Sequence, residues 1–236
     1  GAAAPLHTAE ALLRQQSDQP DAARLAQIKF EQGSVAAQQG DLDRAVALYR
    51  DTIEIGAQGG QAALVFLILG YNNLAYHLHL LHDPAAIDDA RQGLQLAQEQ
   101  GVLALQPFLF STLGEIELAG GDIDAAEHHF KEGLVLAERL SLPERIAGLT
   151  ANWGRVARQR GDTAVAQERL SSALAQAQAL GLPHLAAQIR LWLVPLLPAA
   201  EARTALRDVR SLAENTGRKR LLEQVIQLEA EQAALQ

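Results

Sequence analysis

The chain has 236 residues, of which 48% are hydrophobic and only 4% aromatic, so aliphatic side chains must fill its core. No apolar run approaches the roughly 18 residues that a membrane-spanning helix needs, and the absence of cysteine excludes a disulfide framework and a thiolate metal site. The formal net charge of −8 argues against non-specific nucleic-acid binding.

The ends of the sequence suggest a piece of a longer protein. The chain begins Gly-Ala-Ala-Ala-Pro and contains no methionine, not even at position 1. We interpret this opening as a linker or expression scar and expect further domains upstream. No signal-peptide pattern opens the chain, which fits a cytoplasmic location.

Hydrophobic periodicity predicts helices along the whole chain. A short amphipathic helix over 5–16 is interpreted as the second helix of a repeat whose first helix is missing, and a turn at 18–21 follows it. Five helix hairpins come next, and a last helix over 217–235 is predicted to cap the series. The predicted hairpins span residues 22–56, 61–100, 102–140, 143–180 and 183–215. Because no linker rich in Pro or Ser divides the chain, we expect a single domain over 1–236.

Three of these hairpins share one spacing of small and bulky residues. In each, a glycine is followed twelve positions later by alanine and sixteen positions later by a large side chain. The three sets are Gly33, Ala45 and Tyr49; Gly114, Ala126 and Phe130; and Gly154, Ala166 and Leu170. Because residues three and four apart share a helix face, this spacing predicts two helices in close contact, with the bulky residue in the groove between them. Each copy also contains a Gly-Asp pair. It predicts that the first helix ends at the glycine, in the left-handed backbone conformation, and that the Asp side chain caps the second helix.

The second hairpin departs from this pattern. Ala75, Ala86 and Ala90 take the small, alanine and bulky positions there, so we expect a shallower groove or compensation by nearby leucines. Asp83 and Pro84 are predicted to supply the cap and the first helical residue of its second helix.

The fifth hairpin is also irregular. Pro195 lies inside its first helix and is expected to kink or end that helix. Trp192 is aligned with Trp153 of the preceding hairpin, one place before the small position.

The small, alanine and bulky positions resemble those of the tetratricopeptide repeat (TPR) family. The resemblance covers nearly the whole chain, although the repeat of about 40 residues is longer than the usual 34 or so. Longer repeats of this kind, with segments such as LAERLSLPERIAGL, are similar to the repeat regions of bacterial MalT/LuxR-type signalling ATPases. The resemblance implies an all-α, right-handed superhelix (solenoid) of about five antiparallel hairpins, whose inner surface is lined by the first helix of each pair.

The resemblance also implies which side chains face this concave groove. They stand two positions before, one after and four after the small residue. In the second, third and fourth hairpins these are Asn73, Tyr76 and His79; Thr112, Glu115 and Leu118; and Asn152, Arg155 and Arg158.

Two features within this set are candidates for a ligand site, each with an alternative explanation. Asn73 and Asn152 share a register, and an amide offers both a donor and an acceptor to a peptide backbone. The alternative is that both side chains bond neighbouring helices or water. Arg155 and Arg158 lie on one helix face and are able to hold a carboxylate or phosphate. The alternative is a solvated face, or ion pairs with acids on the adjacent repeat, such as Glu115 or Glu117.

No catalytic or metal-binding constellation is found. The spacings of His77, His79 and His82 do not converge on a metal, and the adjacent His128 and His129 point apart. The sequence contains no phosphate-binding loop, dinucleotide motif, nucleophile elbow or H-E-x-x-H. We therefore predict no catalytic residue, no metal and no cofactor.

The sequence as a whole predicts a non-enzymatic protein-interaction or ligand-sensing module. By resemblance, it would be the regulatory domain of a bacterial multidomain transcriptional or signalling regulator. The expected partners are a peptide, a protein segment or a small-molecule effector in the groove, and other domains of the same parent chain. No direct nucleic-acid or membrane contact is expected. The alternative is a static scaffold or oligomerisation domain that uses the outer face and the cap helix.

Overall fold

The computed structural model describes residues 3–16 and 21–234, and its regular elements are all helical. These residues form twelve α-helices and two short 3-10 turns, with no strand, which confirms the predicted all-α class. The helices are α1 (Ala3–Gln16), α2 (Ala22–Gln38), α3 (Leu42–Gly56), α4 (Gly60–Leu80), α5 (Ala86–Glu99), α6 (Gln106–Gly120), α7 (Ile123–Arg139), α8 (Pro143–Gln159), α9 (Thr163–Ala179), α10 (Pro183–Leu193), α11 (Ala199–Thr216) and α12 (Lys219–Ala234). The 3-10 turns, Leu103–Leu105 and Val194–Leu196, precede α6 and follow α10. None of these helices is both long and apolar enough to cross a lipid bilayer.

The chain divides into two compact units, residues 1–116 (unit 1) and 117–236 (unit 2). In unit 1, α2 packs on α3, α3 on α4 and α4 on α5, and α2 also contacts α4. In unit 2 the same order of contacts runs from α7 to α12, and α8 contacts α10, which contacts α12. Each unit is therefore a series of helix hairpins in which alternate helices also touch. The interpretation of 1–236 as one domain stays a prediction.

In unit 1 the small and bulky positions of the first hairpin meet as the spacing predicts. Ala45 and Tyr49 of α3 are buried. A Cβ atom added at Gly33 of α2 would lie 2.8 Å from Tyr49 Cε1, closer than real side chains approach. Glycine is therefore needed for the two helices to pack at this distance.

The fourth hairpin repeats this arrangement in unit 2. Ala166 and Leu170 of α9 are buried, and a Cβ atom added at Gly154 of α8 would lie 2.9 Å from Leu170 Cγ. On α7, Ala126 and Phe130 are also buried. One sequence register thus builds the core of both units.

The second hairpin keeps its core without a bulky residue at Ala90. Ala75 and Ala90 are both fully buried. In this hairpin the close contact between helices is at Gly93 of α5. A Cβ atom added there would lie 2.8 Å from both Tyr71 Cβ and Leu109 Cδ2. Close packing at Gly93, with a leucine from α6, takes the place of the missing side chain.

Side-chain caps form at two of the three Gly-Asp turns. The carboxylate of Asp41 accepts a hydrogen bond from the Arg44 amide at 3.2 Å, and that of Asp122 accepts one from the Ala125 amide at 3.1 Å. Asp162 makes no side-chain cap bond at the start of α9. The predicted capping is therefore confirmed at the first two turns and absent at the third.

The start of α5 differs from the prediction. The Asp83 carboxylate accepts a hydrogen bond from the Ala85 amide at 2.9 Å, but the helix begins only at Ala86. Pro84 consequently lies in the turn before the helix instead of at its first position.

Two further helix ends follow simple backbone rules. Asp21 caps α2 by accepting hydrogen bonds from the amides of Ala23 and Arg24, at 2.9 and 3.3 Å. In the fifth hairpin, α10 stops at Leu193 and Pro195 lies in the 3-10 turn that follows, since its missing N–H cannot continue a helix. Residues 18–20 of the predicted turn and residue 235 of the predicted cap helix lie outside the described residues.

Candidate functional site

In unit 2 the predicted site residues of α8 meet a tryptophan of α10. The guanidinium of Arg155 lies over the ring of Trp192, with 4.6 Å between its central carbon and the ring centroid. Arg158 Nη1 donates a hydrogen bond to the Trp192 carbonyl at 3.3 Å. The two arginines therefore converge on one residue of the next hairpin, and we call Asn152, Arg155, Arg158 and Trp192 the arginine–tryptophan site.

Asn152 lies beneath this pair. Its side chain is in the predicted register but is only 3% exposed, and its Oδ1 accepts a hydrogen bond from Arg155 Nη1 at 2.9 Å. In this position the Asn152 oxygen contacts Arg155, and little of its surface is open to a ligand.

Burial, the charge of Arg155 and one acid on α12 affect the pKa of Arg158. Partial removal from water and the like charge of Arg155 lower the pKa of Arg158, whereas Glu231 of α12 acts in the opposite direction.

Trp192 was missed as a site residue because its alignment with Trp153 is wrong by one position. Pro143 opens α8 and Pro183 opens α10, and nine residues after each stand Asn152 and Trp192. Trp192 thus shares the register of Asn152. The equal spacing from the two prolines is a sequence signal that would have found it.

Trp153 has a different environment. Its Nε1 donates a hydrogen bond to Glu127 Oε1 of α7 at 2.9 Å, and the Arg169 guanidinium of α9 lies 3.5 Å from its ring centroid. Glu127 also pairs with Lys131 and Arg160. Hydrogen bonds from Lys131, Trp153 and Arg160 lower the pKa of Glu127 to about 2. Trp153 therefore ties α7, α8 and α9 together.

In unit 1 the corresponding position, Asn73, belongs to an uncharged network. Asn73 Oδ1 accepts a hydrogen bond from Asn72 Nδ2 at 3.1 Å, and Asn72 Oδ1 accepts one from Thr112 Oγ1 at 2.9 Å. Burial raises the pKa of Tyr49, against the effect of its hydrogen bonds to Ser34 and Asn73. Asn72 is buried, links α4 to α6, and was not singled out from the sequence.

Of the other predicted residues of unit 1, Tyr76 lies beside His77. His77 Nδ1 lies 2.6 Å from the Asn73 carbonyl and must carry the proton, because a carbonyl only accepts. Its ring centroid is 5.2 Å from that of Tyr49 and 5.4 Å from that of Tyr76. His79 is half-buried on the same helix, and Glu115 of α6, also half-buried, accepts a hydrogen bond from Ser111 at 3.3 Å.

The structure therefore groups the predicted residues by unit. It brings Asn152, Arg155 and Arg158 together in unit 2, and it places Asn73 and Tyr76 beside His77 in unit 1. Glu117, considered as an ion-pair partner for the arginines, has its Oε2 atom 2.6 Å from His129 Nδ1. Across residues 3–16 and 21–234 there is no group of three His, Asp or Glu side chains able to hold a metal ion. The binding roles of all these residues stay predictions.

Comparison with known proteins identifies the fold. No protein-family model and no curated protein matches the chain. Among solved structures, the chain is similar to the Rap conjugation gene regulator of plasmid pLS20 in complex with the Phr* peptide, at 14% identity and a TM-score of 0.74, covering 99% of this chain and 70% of that one. It is also similar to aspartyl phosphate phosphatase F from Bacillus subtilis, at 13% identity and a TM-score of 0.72, covering 96% of this chain and 62% of that one, so it spans less than two thirds of that protein.

A third similar structure has explicitly repeated helices. It is a putative kinesin light chain from Podospora anserina with nearly identical TPR-like repeats, at 18% identity and a TM-score of 0.54, covering 89% of this chain and 97% of that one. At such identities the likeness establishes the fold, which is a TPR-like helical repeat. The TPR part of the sequence resemblance is confirmed, and the link to MalT/LuxR-type ATPases stays an expectation.

Proposed function

We propose that this chain is a non-enzymatic binding module that recognises an anionic peptide or protein segment. The observation that carries the proposal is the arginine–tryptophan site, where the Arg155 guanidinium lies over the Trp192 ring and Arg158 donates a hydrogen bond to the Trp192 carbonyl. Planar guanidiniums fixed in this way favour carboxylate and phosphate groups, which they bind through paired hydrogen bonds.

Two further observations support a peptide as the ligand. The net charge of −8 disfavours a nucleic acid, so the cationic site stands out within an acidic chain. The similar Rap regulator of plasmid pLS20 was solved with a bound peptide. A small-molecule anion is the other ligand that the same site would accept.

The proposal extends to the context of the module. We place it in the cytoplasm as the regulatory domain of a bacterial multidomain regulator of transcription or signalling, in contact with other domains of its parent chain. Ligand binding would act by favouring one of two arrangements of those domains, because a ligand shifts an equilibrium only through its different affinity for the two states. A parent reading frame that encodes no other domain would contradict this extension.

The test of binding uses a fluorescein-labelled peptide of six alternating Glu and Ala residues, and the same peptide with Gln in place of Glu. Fluorescence anisotropy is expected to detect binding of the Glu peptide that weakens with salt, and little binding of the Gln peptide. Replacing Arg155 and Arg158 together by Ala is expected to weaken binding by about ten-fold or more.

A charge-matched control separates a built site from general attraction. Arg203 and Arg207 are exposed on α11, and their joint replacement by Ala removes the same charge from a helix that carries no residue of the arginine–tryptophan site. That variant is expected to change the affinity by less than about two-fold. Equal losses in the two double variants would contradict the proposal.

The non-enzymatic part of the proposal has its own test, because one similar structure carries the name of a phosphatase. Acetyl phosphate and p-nitrophenyl phosphate are suitable probes. No turnover above buffer is expected, and sustained release of phosphate by the purified chain would overturn this part.

A scaffold or oligomerisation domain is the second candidate, favoured by exposed apolar side chains. Val135 on α7 is 63% exposed and Ile226 on α12 is 51% exposed. Large apolar groups in water often mark protein contacts. Under this alternative, light scattering would give a mass that rises with concentration and falls on Ile226→Asp, with no effect of the Glu peptide.

A further inference from the structure

Asn152 occupies a position whose register predicts contact with a ligand, yet it is nearly inaccessible. Only 3% of the residue is exposed, and its Oδ1 atom accepts a hydrogen bond from Arg155 Nη1 at 2.9 Å. The central carbon of the same guanidinium lies over the Trp192 ring, 4.6 Å from the ring centroid. Arg155 thus contacts an amide of its own helix and an indole of the next hairpin.

We infer that Asn152 and Trp192 are positioning residues that orient the Arg155 guanidinium, and that Arg155 is the group that contacts the ligand. This inference rests on the proposed function, since it assigns roles within the arginine–tryptophan site. It replaces the sequence-based expectation that Asn152 grips a peptide backbone directly.

The physical reason lies in the flexibility of arginine. A long side chain free in water loses much rotamer freedom when it binds an anion, and a chain already oriented loses less. The hydrogen bond to Asn152 and the cation–π contact with Trp192 both restrict the positions that the planar fork takes. The carboxylate geometry that the fork accepts is therefore set before the ligand arrives.

Arg158 provides an internal comparison because it is held differently. It is exposed, and its Nη1 atom bonds the Trp192 carbonyl, a backbone group that side-chain substitutions retain. Removing the Asn152 amide should therefore affect Arg155 and leave the Arg158 contact in place. Loss of the Asn152 amide is therefore expected to change the orientation of Arg155 and not that of Arg158.

The first test needs no ligand. Incorporation of 5-fluorotryptophan gives one 19F NMR signal for each of the two tryptophans, assigned with Trp153→Phe. Because a charge at 4.6 Å from the ring alters the fluorine shift, Arg155→Ala is expected to move the Trp192 signal. Asn152→Ala is expected to move it towards the same position and to leave the Trp153 signal unchanged. A Trp192 signal that does not respond to Asn152→Ala would overturn the inference.

The second test is a double-mutant cycle with the fluorescein-labelled Glu/Ala peptide. Asn152→Ala is expected to weaken binding by about three-fold and Arg155→Ala by about ten-fold, with no further loss when the two are combined. Losses that multiply would mean that Asn152 contacts the peptide independently, and the inference would fall.

Asn152→Asp separates orientation from charge and also serves if Asn152→Ala folds poorly. The new carboxylate pairs with Arg155, so the 19F signal of Trp192 should stay near its original position while peptide affinity falls by about ten-fold. Retained affinity in this variant would contradict a contact role for Arg155. If the peptide does not bind the unmodified chain, the proposed function fails, whereas the 19F experiment still decides whether Asn152 and Trp192 position Arg155.

Discussion

The two units share a packing scheme and differ in charge. Unit 1 contains six Lys and Arg against 13 Asp and Glu, a formal net charge of −7, whereas unit 2 contains 14 against 15, a net charge of −1. The difference extends to the predicted site residues. In unit 1 Asn73 joins an uncharged network with Asn72 and Thr112, and in unit 2 Arg155 and Arg158 meet at Trp192.

The comparison shows that the residues packed between the paired helices are alike in the two units, whereas the residue that follows the small position differs. Gly33 meets Tyr49 in unit 1 and Gly154 meets Leu170 in unit 2 at nearly the same distance. The position one after the small residue differs between the second and fourth hairpins, with Tyr76 in unit 1 and Arg155 in unit 2, whereas asparagine stands two before the small residue in both hairpins.

The largest expected effect comes from a charge placed in the shared core. Ala45 and Ala166 are fully buried, so Ala45→Glu and Ala166→Glu should each destabilise the fold by about 3–5 kcal/mol. Ala47 and Ala164 are exposed on the same helices, and Glu there should change stability by about 0.5 kcal/mol or less. Urea unfolding measures both effects. A large loss in only one unit would break the claim that both depend on the same packing.

A smaller effect should follow from adding one methyl group where the helices meet. Gly33→Ala and Gly154→Ala should each lose about 1–3 kcal/mol, because the new Cβ atom would lie 2.8 or 2.9 Å from Tyr49 or Leu170. Gly148→Ala is the matched control. It lies on α8 with no atom within 4 Å of the added Cβ, and it should gain about 0.5–1 kcal/mol from helix propensity. Equal responses at Gly148 and Gly154 would contradict this account.

The sequence predicted the hairpins well because close packing leaves a strong local signal. Small and bulky residues at fixed spacing are needed wherever two helices touch, and the structure has them in contact in both units. The start of α5 was misplaced because Pro84 is equally suited to a turn and to a first helical turn. The hydrogen bond between Asp83 and Ala85, which decides between them, has no periodic signature.

The candidate site was only partly predictable. The register indicated Asn152, Arg155 and Arg158, but nothing in one helix reveals that Asn152 lies under Arg155. Trp192 contributes from the next hairpin, and its register was obscured because the fifth hairpin lacks a glycine at the small position. Contacts between hairpins depend on how helices stack, which a single-repeat pattern does not specify.

The difference in charge between the units should also appear in how their stability depends on pH. Hydrogen bonds from Lys131, Trp153 and Arg160 lower the pKa of Glu127 in unit 2 from 4.5 to about 2. A carboxyl with a lowered folded-state pKa stabilises the fold above its unfolded pKa, and this contribution disappears as the pH falls from about 5 to about 2. Since Lys131 and Arg160 are partly exposed, we expect about 1 kcal/mol after solvent screening.

Glu127→Gln isolates this contribution. Its stability should lie about 1 kcal/mol below that of the unmodified chain near pH 6, and the two should converge towards pH 2. Glu132→Gln, an exposed change on the same helix, serves as the control and should follow the unmodified chain at all pH values. A constant difference between Glu127→Gln and the unmodified chain would mean that packing, and not ionisation, is responsible.

The smallest expected effect concerns one helix end in each unit. His82 after α4 and Ser141 after α7 have φ angles of 59° and 53°, whereas the matching turns carry glycine, as at Gly181 with 66°. In both turns the next amide bonds a carbonyl of the last helical turn, Asp83 to Leu78 and Leu142 to Ala137, each at 2.9 Å. Because only glycine adopts this conformation without strain, His82→Gly and Ser141→Gly should each stabilise the fold by about 0.5 kcal/mol.

Gly181→Ala tests the same reasoning in reverse. No atom lies within 4 Å of a Cβ added there, so any loss of stability comes from the backbone conformation alone, and about 1 kcal/mol is expected. Thermal unfolding of the three variants should therefore give two small gains and one loss. If His82→Gly gains nothing while Ser141→Gly does, the imidazole makes a compensating contact in unit 1, and the two helix ends are not equivalent after all.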